Sequence, residues 1–237
     1  MNKYLTVIGD VHGCLHTLQS LLDKIPTAGN RIILCGDLIN KGKRSYETVE
    51  FVRQNKLECL LGNHEFYCIH RKNPRYGHFW QERGGLQTIE SVRRNLAPRN
   101  EIHLDMFIEQ LAQYFQTFHR VVLVDTNFGK KYLLTHGGIS KSFFAKNHFT
   151  IANVLQNDFF SLDSPIFNKD KLAVIPGYVQ VVGHIPTAFA PKLVYGNYYI
   201  DSGAVYTTKQ GMGYLSAIQF NLEKNEPPTI YQQLNID

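Results

Sequence analysis

Five short apolar runs in this chain end alike, with a glycine beside a side chain able to bind a cation or move a proton. Tyr4-Leu5-Thr6-Val7-Ile8 leads into Gly9-Asp10-Val11-His12-Gly13. Arg31-Ile32-Ile33-Leu34-Cys35 leads into Gly36-Asp37, and Cys59-Leu60-Leu61 leads into Gly62-Asn63-His64-Glu65. Tyr132-Leu133-Leu134-Thr135 leads into His136-Gly137-Gly138, and Val179-Gln180-Val181-Val182 leads into Gly183-His184. The polar groups are Asp, His and Asn, an oxygen and imidazole set without thiolate that suits Mn, Fe or Zn. They are too many for one tetrahedral ion, so two ions sharing one carboxylate is the economical reading. Two such ions, about 3.5–4 Å apart, can generate a hydroxide and clamp a phosphoryl group during in-line displacement.

Ligands of this kind need stiff supports, and strand ends are where open α/β sheets build their sites. The runs Tyr4–Ile8, Arg31–Cys35 and Leu57–Leu61 read as strands. Between them, Leu15, Leu18, Leu22 and Ile25, then Tyr46, Val49 and Val52, recur at helical spacing. Strand–helix–strand alternation predicts right-handed parallel crossovers. A further helix carries Leu104, Phe107, Ile108, Leu111, Phe115 and Phe118 on one face. Strands then dominate: Val121–Val124, Lys131–Thr135, Val179–Val182, Tyr198–Asp201, Tyr214–Phe220 and Thr229–Leu234. The connections within Arg120–Thr135 and Gly196–Phe220 are short enough for antiparallel pairing. The expected class is α/β passing to α+β: two packed mixed sheets flanked by helices. Residues 1–237 form one domain in this reading, with a helical cap inserted at about 66–119.

With 237 residues, 43% of them hydrophobic and 12% aromatic, the chain can bury a sizeable core, which excludes a disordered polymer. No apolar run approaches the roughly 18 residues of a membrane span, and no export signal precedes Gly9-Asp10, so a cytoplasmic protein without a membrane partner is expected. Cys14, Cys35, Cys59 and Cys68 fit no metal or redox spacing and read as reduced thiols. Between Phe66 and His103, seven basic residues face three acidic ones, a local excess of four within the chain's net +5. Such a patch attracts phosphate-bearing partners, although a solvated helical surface is the simpler reading. No nucleic-acid-binding module accompanies it, so no specific nucleic-acid partner is expected.

The five glycine-flanked fragments resemble the signature of the calcineurin-like metallophosphoesterases, over Gly9 to Asp201. The resemblance implies a four-layer sandwich and a dinuclear centre in which a metal-bridging hydroxide attacks phosphorus. Asp10 and His12 would hold the first ion, Asp37 would bridge, and Asn63, His136 and His184 would complete the second site. Mn is the favoured metal, with Fe or Zn as alternatives. His64 would face the leaving group as general acid, and Asp201 would orient His184 or a nearby loop. Gly62-Asn63-His64-Glu65 resembles the bacterial and phage serine/threonine phosphatases; the symmetric dinucleoside-tetraphosphate hydrolases usually carry Asp where Glu65 stands. Trp80 with Gly84-Gly85 resembles a segment of some bacterial members, and an aromatic packed under the cap explains it equally well.

Two departures stand out. The family usually reads Gly-Asp-x-x-Asp-Arg-Gly, whereas this chain has Gly36-Asp37-Leu38-Ile39-Asn40-Lys41-Gly42. Asn40 can orient His64 but brings no negative charge, and Lys41 offers phosphate a point charge instead of a bidentate fork. No Arg lies between Gly138 and Gly183 to match a later phosphate-gripping Arg of the family. Lys41 and, from the cap, Arg71, Lys72 or Arg75 are the candidate phosphate contacts. The leading expectation is a serine/threonine phosphatase-like phosphomonoesterase acting on a phosphorylated substrate, protein or nucleotide. The alternative enzyme hydrolyses dinucleoside polyphosphates or other nucleotides. A non-enzymatic binding scaffold would have lost ligands, and here all six positions are filled. His16, His70, His78, His103, His119 and His148 match no motif and read as surface or helix residues.

Overall fold

The computed structural model of the protein describes residues 2–148, 150–156, 161 and 163–237. Strands β1 (Tyr4–Ile8), β2 (Asn30–Leu34) and β3 (Glu58–Cys59) run parallel. On its other side β1 pairs antiparallel with β9 (Tyr214–Asn221), which carries antiparallel β10 (Thr229–Leu234). In the second sheet a hairpin joins β4 (Val122–Asp125) to β5 (Lys131–Leu134). There β5, β6 (Tyr178–Val182) and β8 (Asn197–Tyr199) are parallel, and β7 (Lys192–Val194) closes the edge antiparallel to β8.

The two sheets pack face to face, which explains why the runs read as continuously apolar. Leu5, Val7 and Ile33 of the first sheet meet Tyr132, Leu134 and Val181 of the second in one buried cluster. Their neighbours Ile8 and Leu34 point the other way, onto helices α1 (Leu15–Leu22) and α2 (Ser45–Gln54). Leu133 faces outward beneath α7 (Lys141–Lys146) and α8 (Ile151–Gln156). Each fully buried Leu, Ile or Val contributes about 1.5–3 kcal/mol, so the sandwich fixes strand register firmly. The expected two packed mixed sheets flanked by helices are the observed fold.

The segment between β3 and β4 is helical: α3 (Asn63–Ile69), α4 (Pro74–Trp80), α5 (Leu86–Leu96) and α6 (Glu101–Phe115). Asn73 caps α4 ahead of Pro74, and Asn100 caps α6 by accepting from the His103 N–H. A turn at Gln81–Gly85 kinks the chain between α4 and α5, with Gly84 at φ +94°. Phe66, Trp80, Val92, Leu104, Ile108 and Phe115 share one core with Leu18, Val49 and Ile8. These helices are therefore built into the body rather than laid over it.

The second half departs from expectation in its pairing. The connection across Gly196–Phe220 does not make a hairpin; β8 and β9 belong to different sheets. Ile200 N–H still donates to Val182 in the second sheet, whereas Ser216 accepts from Gly9 in the first. The chain crosses between the sheets at Asp201-Ser202-Gly203, and a Ser202–Ser216 hydroxyl contact of 2.6 Å ties the crossing down. The hairpin lies one strand earlier, where Tyr195 (φ 47°) and Gly196 (φ 79°) turn β7 into β8 with the twist two-residue loops favour.

Candidate functional site

The loops after β1 and β2 are zipped together by backbone hydrogen bonds. Val11 and His12 N–H donate to the Asp37 carbonyl at 3.2 and 2.8 Å, and Gly13 N–H donates to Leu38 at 2.8 Å. In return, Gly42 N–H reaches the His12 carbonyl at 3.0 Å. His12, Asp37, Asn40, Lys41 and His184 all hold left-handed backbone, with φ between 48° and 71°. Such conformations cost about 1–3 kcal/mol each and persist only where the surroundings over-determine them. Gly36 is required where it stands: at φ +93°, a Cβ would lie 2.6 Å from Gly62 N. A side chain at Gly183 would collide with Asp10 Oδ1.

The strand ends bring Asp10, His12, Asp37, Asn63, His136 and His184 into one buried cluster centred on Asp37. Two groups of potential ligand atoms, His12–Asp37–His64 and Asp37–His136–His184, each fall within 4.8 Å and share Asp37. Asn63 Oδ1 joins the second group, 3.1 Å from His136 Nε2 and 2.8 Å from His184 Nδ1. His12 Nδ1 donates to Ile39 O at 2.9 Å and His136 Nδ1 to Cys35 O at 2.6 Å. Both rings thereby turn Nε2 inward, the arrangement by which an outer hydrogen bond orients a ligating imidazole. Asp10 belongs to neither three-residue group; both its oxygens accept from the His184 N–H at 3.1 Å. Lys41 Nζ instead bonds His12 Nε2 at 2.7 Å, an ammonium against the nitrogen that the first ion would need.

Charge is crowded here. Burial, and then Asp201, push the Asp10 carboxyl well above its usual range. Burial likewise raises Asp201 to about 6 and, with Asp37 behind it, Glu65 to about 7. Burial, and next the Lys41 ammonium, lower His12 to about 3, so its Nε2 is a bare acceptor. For His136 burial is the largest influence and opposes protonation, yet Asp37 and Asp10 outweigh it and hold the ring up at about 10. Asp37 in turn stays well below the carboxylate range against its own burial, because His136 and His64 flank it. His184 Nε2 and Asp201 Oδ2 are buried without a partner among the described residues. Several buried carboxylates, inward imidazole nitrogens and unpartnered polar atoms fit divalent cations. Asp201 itself holds a turn, accepting from Gly203 N–H at 2.8 Å.

His64 is set by a different chain of contacts. Trp80 Nε1–H and the Thr88 hydroxyl donate to Asn40 Oδ1 at 3.2 and 2.6 Å. An indole N–H can only donate, so it forces the Asn40 oxygen toward itself and the amide NH2 toward His64. Asn40 Nδ2 then donates to His64 Nδ1 at 2.7 Å. His64 must accept there, which leaves its one N–H on Nε2, 3.8 Å from Asp37 Oδ2. Burial pushes His64 well below its ordinary value, in keeping with a neutral ring.

A family model of the calcineurin-like phosphoesterases matches residues 4–210. The chain belongs to this family. A symmetrical bis(5'-nucleosyl)-tetraphosphatase from Pseudomonas fluorescens is 28% identical over 132 residues, 54% of this chain and 43% of that protein. Its counterpart from Erwinia tasmaniensis is 42% identical over 73 residues, 29% of this chain and 26% of that one. The match thus spans less than half the length of these curated relatives. A protein serine/threonine phosphatase from Saccharomyces cerevisiae shares the fold at a TM-score of 0.62 and 14% identity, covering all of this chain and 81% of that one.

A cavity of about 320 Å³ opens over Asp37, Asn63, His64 and His184, lined also by Lys41, Arg83, Lys169 and Tyr206. Of the expected phosphate contacts only Lys41 lines it. Arg71 is turned to α6, where Asp105 (2.6 Å) and Glu109 (3.0 Å) consume its guanidinium, and Lys72 joins the same acids. Arg75 is exposed beside the Tyr76 ring. Arg71 and Lys72 sit in the turn between α3 and α4 and face the acids of α6, and none of the three lines the cavity. Arg83 and Lys169 stand in their place. Sequence spacing singles out neither; the available signal is Trp80 with Gly84-Gly85, whose glycines make the turn that aims Arg83. The six unmatched histidines lie outside both ligand groups, and all four cysteines are buried and free.

Replacing the shared anion by Asp37→Asn should remove tight binding of both ions, read as metal per chain after dialysis against Mn²⁺; retention of two ions would refute the bridge. Because His136 holds a proton up to about pH 10 without metal, ligation there must expel it. Titrating Mn²⁺ at pH 8 in buffers of different ionisation enthalpy should reveal about one proton released, and apparent affinity should rise with pH. Binding without proton release would exclude His136 as a ligand.

Proposed function

We propose that this chain is a dinuclear metal-dependent hydrolase of phosphoryl bonds with good leaving groups, its best substrates being dinucleoside polyphosphates and related nucleotides. Asp10 and His12 with Asp37 would hold one ion, and Asn63, His136 and His184 with Asp37 would hold the other. When bound, two divalent ions lower the pKa of a water that attacks phosphorus and neutralise the phosphoryl oxygens. Mn, Fe and Zn each suit part of this oxygen and imidazole set, and Mn is the ion we favour. Lys41 bonds the His12 nitrogen that such an ion would take, so with the site filled its ammonium would be free for the substrate phosphate. The catalytic unit spans residues 1–237, with 66–119 supplying one wall, and the four free thiols suit a reducing cytoplasm.

The observation that carries the substrate class is the Asn40 amide on His64 Nδ1. His64 can offer the leaving oxygen one hydrogen bond from Nε2–H. Passing that proton over would leave an imidazolate, so strong general-acid help, worth about 10²–10⁴ in rate, is forgone. A phosphoanhydride oxygen departs as a stabilised anion and does not need it; the alkoxide of a serine ester does. The names of the curated relatives agree with this reading. A serine/threonine phosphomonoesterase is the second reading, favoured by the motif Gly62-Asn63-His64-Glu65. Glu65, however, is buried and spends its carboxylate on the N–H groups of Asp37, Leu38 and Gly62. It cannot touch a substrate.

With Mn²⁺-loaded protein, kcat/KM for diadenosine tetraphosphate should exceed that for a phosphoserine peptide by about 10² or more; parity, or preference for the peptide, would overturn the assignment. An Asn40→Asp variant should accept a proton-bearing His64 Nδ1, raise the pKa of that ring and carry the alkaline limb of the pH–rate profile upward. The same change should narrow the gap between the two substrates. A profile that does not move would separate His64 from the leaving group.

A further inference from the structure

The cavity over the ligand cluster continues into a second lobe of about 390 Å³, and the two share Asn63, Arg83, Lys169 and His184. The second lobe has a different character: its walls include the rings of Tyr67, Phe79 and Phe167. Tyr67 lies 5.6 Å from both other rings, centroid to centroid, so the three form one packed aromatic surface. Tyr67 and Phe167 are anchored in the core while Phe79 is half-buried, which leaves the lobe rigid behind and open in front. Arg83 sits at the junction, its Cζ 5.8 Å from the Tyr67 centroid and 5.7 Å from that of Phe79. Its backbone is clamped by the neighbouring kink, since a Cβ on Gly84 would lie 2.6 Å from Lys41 N. Neither Arg83 nor Lys169 has an ion-pair partner among the described residues. Most other cations of the helical segment do.

An aromatic surface, then two unpaired cations, then a cluster of metal-type ligands form a linear order of chemistries along one cleft. That order matches a nucleotide: base, phosphates, scissile bond. We propose that the Tyr67–Phe79–Phe167 lobe is a nucleobase subsite, and that Arg83 and Lys169 grip the phosphates between the base and the reacting phosphorus. Stacking on a π-face is tolerant of base identity, so the subsite selects for a base rather than for adenine. This inference rests on the nucleotide reading of the site but is tested apart from turnover.

The probes are AMP and inorganic phosphate, titrated calorimetrically into Mn²⁺-loaded protein. Wild type should bind AMP more tightly than phosphate, by about five- to hundredfold for one stacked base. Phe79→Leu keeps apolar bulk and removes the π-face, so the ratio of the two affinities should fall toward one. Arg83→Gln should weaken both ligands. Equal affinity of wild type for AMP and phosphate, or a ratio untouched by Phe79→Leu in a folded variant, would overturn the subsite. If AMP preference holds while diadenosine tetraphosphate is not hydrolysed, the subsite stands and the proposed reaction falls.

Discussion

The site depends on one buried carboxylate that does no chemistry. Glu65, fully buried, accepts from Asp37 N–H at 2.8 Å, Leu38 N–H at 2.7 Å and Gly62 N–H at 3.2 Å. It thus ties the end of β2 to the start of α3, the two places from which Asp37, Asn63 and His64 project. Asp37 Oδ1 completes the knot by accepting from His64 N–H at 3.0 Å. This tie, the backbone bonds between the two loops and the bonds of Asn40 N–H to Ser45 and Thr88 together offset the strain of the left-handed turns at Asp37, Asn40 and Lys41.

Around that knot the protein gathers more negative charge than an apolar interior tolerates. The carboxyl groups of Asp10, Asp201 and Glu65 are all pushed upward by burial, while Asp37 stays ionised only because imidazoles surround it. Cations resolve such an arrangement, and they invert the local ionisation of every group they touch. Lys41 is the chain's own partial answer. Its ammonium reaches His12 Nε2, and its flexible stem lets the charge move where a planar fork would not.

The helical segment changes meaning between sequence and structure. Its basic excess suggests a phosphate-attracting surface, yet most of that charge is answered locally: Arg71 and Lys72 by Asp105 and Glu109, Arg93 by Glu101, Arg94 by Glu47. What the segment contributes instead is interior. Trp80 orients Asn40, Asn40 orients His64, and the kink after Trp80 delivers Arg83 to the cleft.

Much of the site was legible in the chain itself. A glycine beside Asp10, Asp37, Asn63, His136 and His184, each after a stiff apolar run, is a local arrangement, and local sterics suffice to end a strand and aim one side chain. The sheets were legible for the same reason, because period and β-branching report burial directly. Partnerships between distant segments were not. Whether β8 pairs with β9, whether Arg71 or Arg83 reaches the phosphates, and which way the Asn40 amide faces depend on contacts between residues tens of positions apart. Spacing along the chain carries no term for those; only packing in three dimensions decides them, because a hydrogen bond or an ion pair is set by distance in space.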